Sequence, residues 1–243
     1  MPEAPNLKIS VIIPALNEAP TISQVISIAQ TATNVEIIVA DGGSSDGTPE
    51  IAKSLGIRVV FSTTGRATQM NAGAAAATGD ILLFLHADTQ LPQGFDTCAR
   101  QALAKAGTVG GAFELKIDAP LPSLRLVEKG VKCRSHFLQM PYGDQAIFLK
   151  TATFEKIGGF PELPVMEDFE FVRRLKKQGH IDIVPLAVIT SARRWQQLGV
   201  LKTTAINQTI IIAYFLGVSA DRLAIWYKRH KKNFLNTKNS ELF

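Results

Sequence analysis

The chain has 243 residues, 46% hydrophobic and 19% charged, with a formal net charge of +5. That is an ordinary globular composition, long enough for one large α/β domain or two small ones. The modest charge suits an anionic small ligand or a membrane surface as well as nucleic acid. Cys98 and Cys133 show neither metal-ligand spacing nor a disulfide framework, so they read as reduced cytosolic thiols. Met1 to Pro5 lacks the basic and apolar regions of a secretory signal. No purely apolar run reaches the roughly 18 residues of a spanning helix. The nearest approach, Ile206 to Val218, is interrupted by Gln208, Thr209 and Gly217.

In chain order, Ile9–Ile13 reads as a buried strand ended by Pro14. Thr21 to Ala32 carries apolar residues at 22, 25, 26 and 29, one face of a helix, with Thr21 and Gln24 resembling a capping box. Val35 to Ala40 is a second β-branched run, followed by the loop Asp41 to Thr48. Pro49 suits the first position of a helix, and Gly56 its stop. Arg58 to Ser62 is a third strand. Gly65 to Ala77 is a loop running into an Ala-rich helix.

Ile81 to Leu85 is five apolar residues with no alternation, the pattern of a strand buried on both faces. His86 and Asp88 follow two residues apart, a spacing that in extended chain turns both side chains the same way. Phe95 to Ala106 is helical and Gly110 to Leu115 strand-like. The first half thus alternates strand and helix, which predicts a mostly parallel sheet with helices on both faces. Beyond it, Leu124 to Leu138 reads as helix, Gln145 to Leu149 as strand, and Thr151 to Ile157 as a short helix stopped by Gly158-Gly159. Asp168 to Gln178 is a helix, Ile181 to Ile189 one or two strands, and Leu201 to Lys232 two helices separated near Gly217-Val218-Ser219.

Polar clusters fall at element ends: Asn17-Glu18, Asp41, His86 with Asp88, and Glu167-Asp168. Successive strand ends of an open α/β sheet line one crevice, so the first three are expected to meet. In this order, Val11 to Glu18, Val39 to Thr48, Asn71-Ala72-Gly73 with Gly79-Asp80, His86-Ala87-Asp88, Gly158-Gly159-Phe160 and Glu167-Asp168 resemble a family 2 inverting glycosyltransferase of the GT-A fold. Phe84 to Thr89, Pro141 to Gln145 and Arg193-Arg194-Trp195 are most similar to a small soluble branch associated with radical-SAM and selenodomain proteins.

The resemblance implies roles for individual residues. Asp41 would accept a hydrogen bond from a nucleotide base, most often uracil, in a pocket walled by Pro14, Ala15, Asn17, Glu18 and Gly42, with Asn71 and Ala87 nearby; the bland alternative for Asp41 is a turn-former. Asp88 would hold Mg2+ or Mn2+, a hard ion suited to carboxylate and diphosphate oxygen. His86 stands where the family usually has aspartate, and a neutral imidazole there favours Mn2+ as a ligand or contacts phosphate instead. The family often has Arg just before the residue matching Asn71, where this chain has Met70. Arg66, a turn earlier, either supplies that cation to the diphosphate or is a solvated surface residue. Asp168 would be the general base, with Glu167 positioning it or the acceptor; its structural alternative is a helix N-cap. Gly143, Asp144 and Gln145 would line the acceptor subsite. Arg194 and Trp195 would join them, although Trp195 serves equally well as core. Ser191 stands where processive relatives have Gln, which argues against a polymer synthase.

The expected partners are a nucleotide-sugar donor and an acceptor hydroxyl, without nucleic acid; a homo-oligomer is compatible with the sequence. The rival reading is a protein of the same fold that binds the donor but has lost turnover through His86. The chain reads as one unit, with a donor half over about residues 1–120, an acceptor half over about 121–200, and helices over about 201–243. The expected location is cytoplasmic. Arg222, Lys228, Arg229, Lys231 and Lys232, beside Trp226 and Tyr227, suit contact with the inner face of an anionic membrane. The apolar run Ile210 to Leu216 reads either as part of that anchor or as core.

Overall fold

The structure is a computed structural model and describes residues 6–229. β1 (Ile9–Ala15), β2 (Val35–Asp41), β3 (Arg58–Phe61) and β4 (Ile81–Phe84) pair in parallel, joined through α1 (Ala19–Ala29), α2 (Thr48–Ser54) and α3 (Arg66–Ala76). The chain continues through β5 (Thr89–Gln90), α4 (Phe95–Ala104), β6 (Thr108–Asp118) and α5 (Pro122–Leu138). A single 3₁₀ turn at Gly143–Gln145 precedes β7 (Phe148–Lys150), α6 (Thr151–Lys156), α7 (Glu167–Lys176) and β8 (His180–Ser191). α8 (Arg193–Leu198) and α9 (Val200–Phe215) follow, and residues 220–229 are helical again. One sheet takes all eight strands in the order β3-β2-β1-β4-β7-β6-β8-β5. β7 runs against β4 and β6, and β5 against β8; every other pair is parallel.

The period of two in the strands decides which helix covers which face. Ile9, Val11, Ile13, Ile81, Leu83 and Leu85 pack with α1, α2, α4 and the start of α5 in one cluster. Ile12, Leu82 and Phe84 turn the other way, onto α3, α6 and α7. Phe84 meets Phe154, Phe160 and Phe171 there, the last two stacked with centroids 3.9 Å apart. A strand with both faces covered has no use for polar residues, hence the unbroken apolar run in β4.

Several boundaries differ from the sequence expectation. Pro14 lies inside β1, opposite Ala40 of β2. β4 pairs with β1 only as far as Ile12, so Pro14 has a strand on one side alone and its missing N–H breaks no ladder. α1 begins at Ala19, with Glu18 as N-cap, so Thr21 sits within the first turn and the Thr21–Gln24 capping box does not form. Gln145 closes the 3₁₀ turn instead of opening a strand. The short strand β5 and helix α8 are additional to the expected elements. α9 ends at Phe215, Gly217 takes a left-handed φ of 87°, and the chain re-enters a helix at 220, which matches the expected break. Ile206 and Ile210 are buried against Leu223, whereas Ile212, Phe215 and Leu216 are exposed, so the apolar run is part core and part surface. No helix among the described residues is long and apolar enough to cross a membrane. The expectations for Met1–Pro5, Lys231 and Lys232 fall outside the described residues.

Candidate active site

The carboxyl ends of β1, β2 and β4 open on one side of the sheet, as parallel pairing requires. Gln69 of α3 locks the first two. Its buried amide donates to Ala15 O at 2.7 Å and to Ala40 O at 3.0 Å, and a Cβ on Gly42 would come within 2.9 Å of it. Pro14 and Ala15 are buried, and Gly42 N–H donates to Ala15 O at 3.0 Å. Asn17, with a left-handed φ of 56°, accepts from Ser45 N–H at 2.9 Å and ties β1 to the loop after β2. Asp41 is fully buried, and its carboxylate accepts from the backbone of Gly43 and Ser44 at 2.9 Å and from Ser44 Oγ at 2.5 Å. In this structure Asp41 therefore shapes its own loop.

The turn after β4 separates the pair that sequence spacing brings together. Thr89 N–H closes it on His86 O at 3.1 Å, so the chain is not extended between 86 and 88. His86 faces α3, Gly143 and Asp168, while Asp88 Oδ2 accepts from Arg193 at 3.2 Å. Ala87 is buried in the core between them. The turn gives the two side chains different nearest partners, although Asp88 still pulls on the His86 charge, and among the described residues no group of three or more His, Cys, Asp or Glu gathers around a metal position.

His86 belongs instead to a charged cluster with Arg66, Asp144, Glu167 and Asp168. Arg66, the first residue of α3, places Nε 2.9 Å from Glu167 Oε1. Glu167 is 2% exposed; its burial, with Asp168 beside it, holds its carboxyl above the usual range against the pull of Arg66. Burial and Asp168 likewise raise Asp144, with Arg134 and Arg66 opposing. Asp168 Oδ2 accepts from Gly143 N–H at 2.9 Å and Oδ1 from Phe169 N–H at 2.7 Å. It is not the N-cap of α7: Met166 holds that position with a left-handed φ of 68°. Gly143 matters for its missing side chain, since a Cβ would lie 3.0 Å from His86 Nε2 and 3.4 Å from Asp168 Oδ2.

Burial first, and then the Arg66 charge, hold the His86 pKa down to about 4, against the opposing pull of Asp88 and Asp168. The imidazole is neutral at pH 7. An unfolded His takes its proton near 6.5, so between 6.5 and about 4 the unfolded chain gains a proton the folded one refuses. His86 thus contributes stability that is whole above 6.5 and lost as the pH falls towards 4. Urea unfolding across that range should show wild type losing stability relative to His86→Gln; parallel curves would place the imidazole in contact with water.

Other expected site residues have structural work. Asn71 clasps Phe160 in both directions, Nδ2 to O and N–H to Oδ1, each at 2.9 Å, so its amide is spent on the Gly159–Phe160 turn. Gln145 is fully buried: Oε1 accepts from Arg134, Ser135 and Tyr142, and Nε2 donates to Phe113 O at 2.8 Å. It holds the Gly143 loop from within the core. Arg194 turns to the C-terminal helices, donating to Asn207 at 2.7 Å with its guanidinium 5.0 Å from the Tyr227 ring. Trp195 is half-buried and packs against the first core cluster from its edge. Glu18 faces Arg193 at 2.8 Å. Sequence reasoning gave no site role to Gln69, and quoted Arg193 only within the Arg193-Arg194-Trp195 motif. The available signal was weak: an arginine beside two already noted, and a lone amide on a small-residue helix.

Residues 10–126 match the model of the family Glycosyl transferase family 2. These residues, just under half of the chain, carry the likeness to that family. The matched segment holds every strand-end residue described above from Asn17 to Asp88. The chain has curated relatives. The succinoglycan biosynthesis protein ExoA of Rhizobium meliloti is 32% identical over 197 residues, 70% of this chain and 58% of that protein. A PGL/p-HBAD biosynthesis glycosyltransferase of Mycobacterium tuberculosis is 42% identical over 102 residues, 38% of this chain and 40% of that protein. The chain thus spans less than two thirds of the length of these relatives. Among solved structures, S. aureus TarS 1–349 in complex with UDP-GlcNAc superimposes with a TM-score of 0.59 at 18% identity, covering 76% of this chain and 58% of that one. Glucosyl-3-phosphoglycerate synthase from Mycobacterium tuberculosis, in complex with Mn2+, UDP and phosphoglyceric acid, gives 0.57 at 23% identity, covering 74% and 69%. The chain accordingly has the GT-A fold, with its mixed, mostly parallel sheet flanked by helices.

Proposed function

We propose that this protein transfers a sugar from a nucleotide diphosphate sugar, UDP-linked, to an acceptor hydroxyl with inversion. One observation carries the reading: Arg66, His86 and Asp168, from three distant segments, converge at the carboxyl ends of the parallel strands. The relatives crystallised with UDP, UDP-GlcNAc and Mn2+ support the donor class. About residues 1–120 form the donor half, about 121–200 the acceptor half, with helices beyond. Membership of the selenodomain-associated branch, with its soluble chains, fits the same motifs.

The donor's base lies in the pocket walled by Pro14, Ala15, Asn17 and Gly42, where Asp41 accepts from its edge once the Ser44 hydroxyl turns away. Arg66 binds the diphosphate as a forked donor. The residues fit a divalent cation: Asp88 and Glu18 converge on one cationic nitrogen in this structure, so the position is built for positive charge. Asp88 would hold the ion, since an ion of this kind is bound to phosphates through only one or two protein carboxylates. When bound, that ion offsets the charge growing on the leaving diphosphate. Asp168 takes the acceptor proton as the hydroxyl attacks the anomeric carbon from the face opposite the diphosphate. Glu167, paired with Arg66, keeps Asp168 and the phosphate clamp in one unit. Asp144 and Gly143 border the acceptor side.

The protein works inside the cell. Exposed Arg222, Lys228 and Arg229, like exposed Ile212, Phe215 and Leu216, support peripheral contact with an anionic membrane. Thermal unfolding with a panel of nucleoside diphosphates and their sugars, with and without Mn2+, tests the donor. At 100 times Kd a ligand adds ~2.7 kcal/mol, enough to raise Tm by about 5 °C in a chain of this size. UDP with Mn2+ should give such a shift, and slow donor hydrolysis should accompany it. Binding without any turnover would favour the binding-protein reading; no shift by any nucleotide would remove the donor site.

A further inference from the structure

Arg193 opens α8 beyond the end of β8, yet its guanidinium reaches back across the site. One nitrogen, Nη2, donates to Glu18 Oε2 at 2.8 Å and Oε1 at 3.1 Å, and to Asp88 Oδ2 at 3.2 Å. Glu18 comes from the β1–α1 turn and Asp88 from the β4–β5 turn, 175 and 105 residues from Arg193 in sequence. Three remote segments therefore meet on a single cationic nitrogen. The Arg193 side chain is 44% exposed, so solvent is open to it.

Two carboxylates and one guanidinium leave the group with one negative charge in excess. That excess is the attraction a divalent ion would meet. The oxygen such an ion needs, Asp88 Oδ2, is the one Arg193 holds by its longest contact, whereas Glu18 holds the same nitrogen by two shorter ones. A dication can therefore take Asp88 without releasing Arg193 from Glu18. Once Asp88 is taken, the guanidinium keeps one anionic partner and has donors to spare beside an incoming diphosphate, the anion it matches best.

We propose that Arg193 is a displaceable counter-ion for Asp88, which a divalent cation must evict and which then turns to the donor's diphosphate while Glu18 anchors it. The inference rests on the metal-dependent reading above. It makes Arg193 a positioning residue with two opposite effects: it weakens the binding of metal alone and strengthens the binding of nucleotide.

The test is titration of Mn2+, followed by electron paramagnetic resonance, into the full chain without nucleotide, and calorimetry with UDP at saturating Mn2+. Arg193→Ala should bind Mn2+ about two- to fivefold more tightly than wild type, the range expected for losing a half-exposed competing ion pair. The same variant should bind UDP·Mn2+ more weakly. A mere tether between α8 and the β1–α1 turn would lower thermal stability and move neither affinity in this paired way. Arg193→Gln, which keeps most of the side chain but not the charge, should repeat the result if the alanine variant does not fold. If Arg193→Ala leaves Mn2+ affinity unchanged or weaker while Asp88→Ala abolishes it, the counter-ion role is wrong and the metal site stands. If Asp88→Ala binds Mn2+ like wild type, the metal site itself is wrong and the inference falls with it.

Discussion

Asp88→Ala should weaken UDP binding in Mn2+ about 10- to 100-fold and leave the residual affinity insensitive to chelator. The magnitude follows from losing one charged partner of the diphosphate complex, worth about 1.5–3 kcal/mol. The fold should survive. Asp88 is half-buried, its side chain accepts from the half-exposed Arg193, and its structural bond is made by its backbone, Ser191 N–H to Asp88 O at 3.0 Å. Arg193 retains Glu18 in the variant. Isothermal calorimetry of wild type and variant, each with Mn2+ and with excess chelator, reads all four states. Wild type in chelator should fall to the variant's level. Undiminished wild-type affinity in chelator would mean that the diphosphate is held by Arg66 and Arg193 alone.

The half of the sheet that binds the nucleotide in this reading was the more legible half, for a physical reason. β1, β2 and β4 are covered on both faces, and their continuous apolar runs have no other economical explanation. β5 is two residues long and exists because Thr89 and Gln90 meet β8 a hundred residues later; nothing local marks it. α8 has no buried residue, so no apolar stripe announces it. Pro14 misled because a proline stops a strand only where its nitrogen faces a partner, and which edge of β1 is open depends on where β4 ends.

The site was legible as residue types but not as partnerships. Asp168, Glu167, Asp88 and Arg66 stand out because charged groups at element ends are costly to bury without purpose. Asn71 and Gln145 share the same polar chemistry, yet each is consumed by backbone 89 and 32 residues away. An amide reads the same in sequence whether it faces a ligand or a carbonyl. Arg193 shows the reverse: its neighbours in sequence suggest an acceptor platform, whereas its guanidinium lies with Glu18 and Asp88. His86 and Asp88 were separated by a turn that a two-residue spacing cannot express.

Asp168→Asn should lower turnover about 10²- to 10⁴-fold while UDP affinity in Mn2+ stays within a factor of two or three, since that is the usual worth of a positioned general base. The structure defines what the substitution costs otherwise. Both carboxylate oxygens accept backbone N–H groups, from Gly143 and from Phe169, and an amide offers only one acceptor. One N–H therefore faces an NH2 group in the variant, a loss of about 1 kcal/mol that should lower Tm by a few degrees without unfolding the chain. If Oδ1 keeps Phe169, the Gly143 loop loosens towards His86, and acceptor KM should rise together with the fall in kcat. Calorimetry with UDP·Mn2+ separates the two halves of the site, because the donor contacts proposed here do not pass through Asp168. Full turnover in the variant would move the base to Glu167, the next carboxylate in reach of Arg66. Loss of UDP binding with turnover would place Asp168 on the donor side, and the proton taken from the acceptor would need another owner.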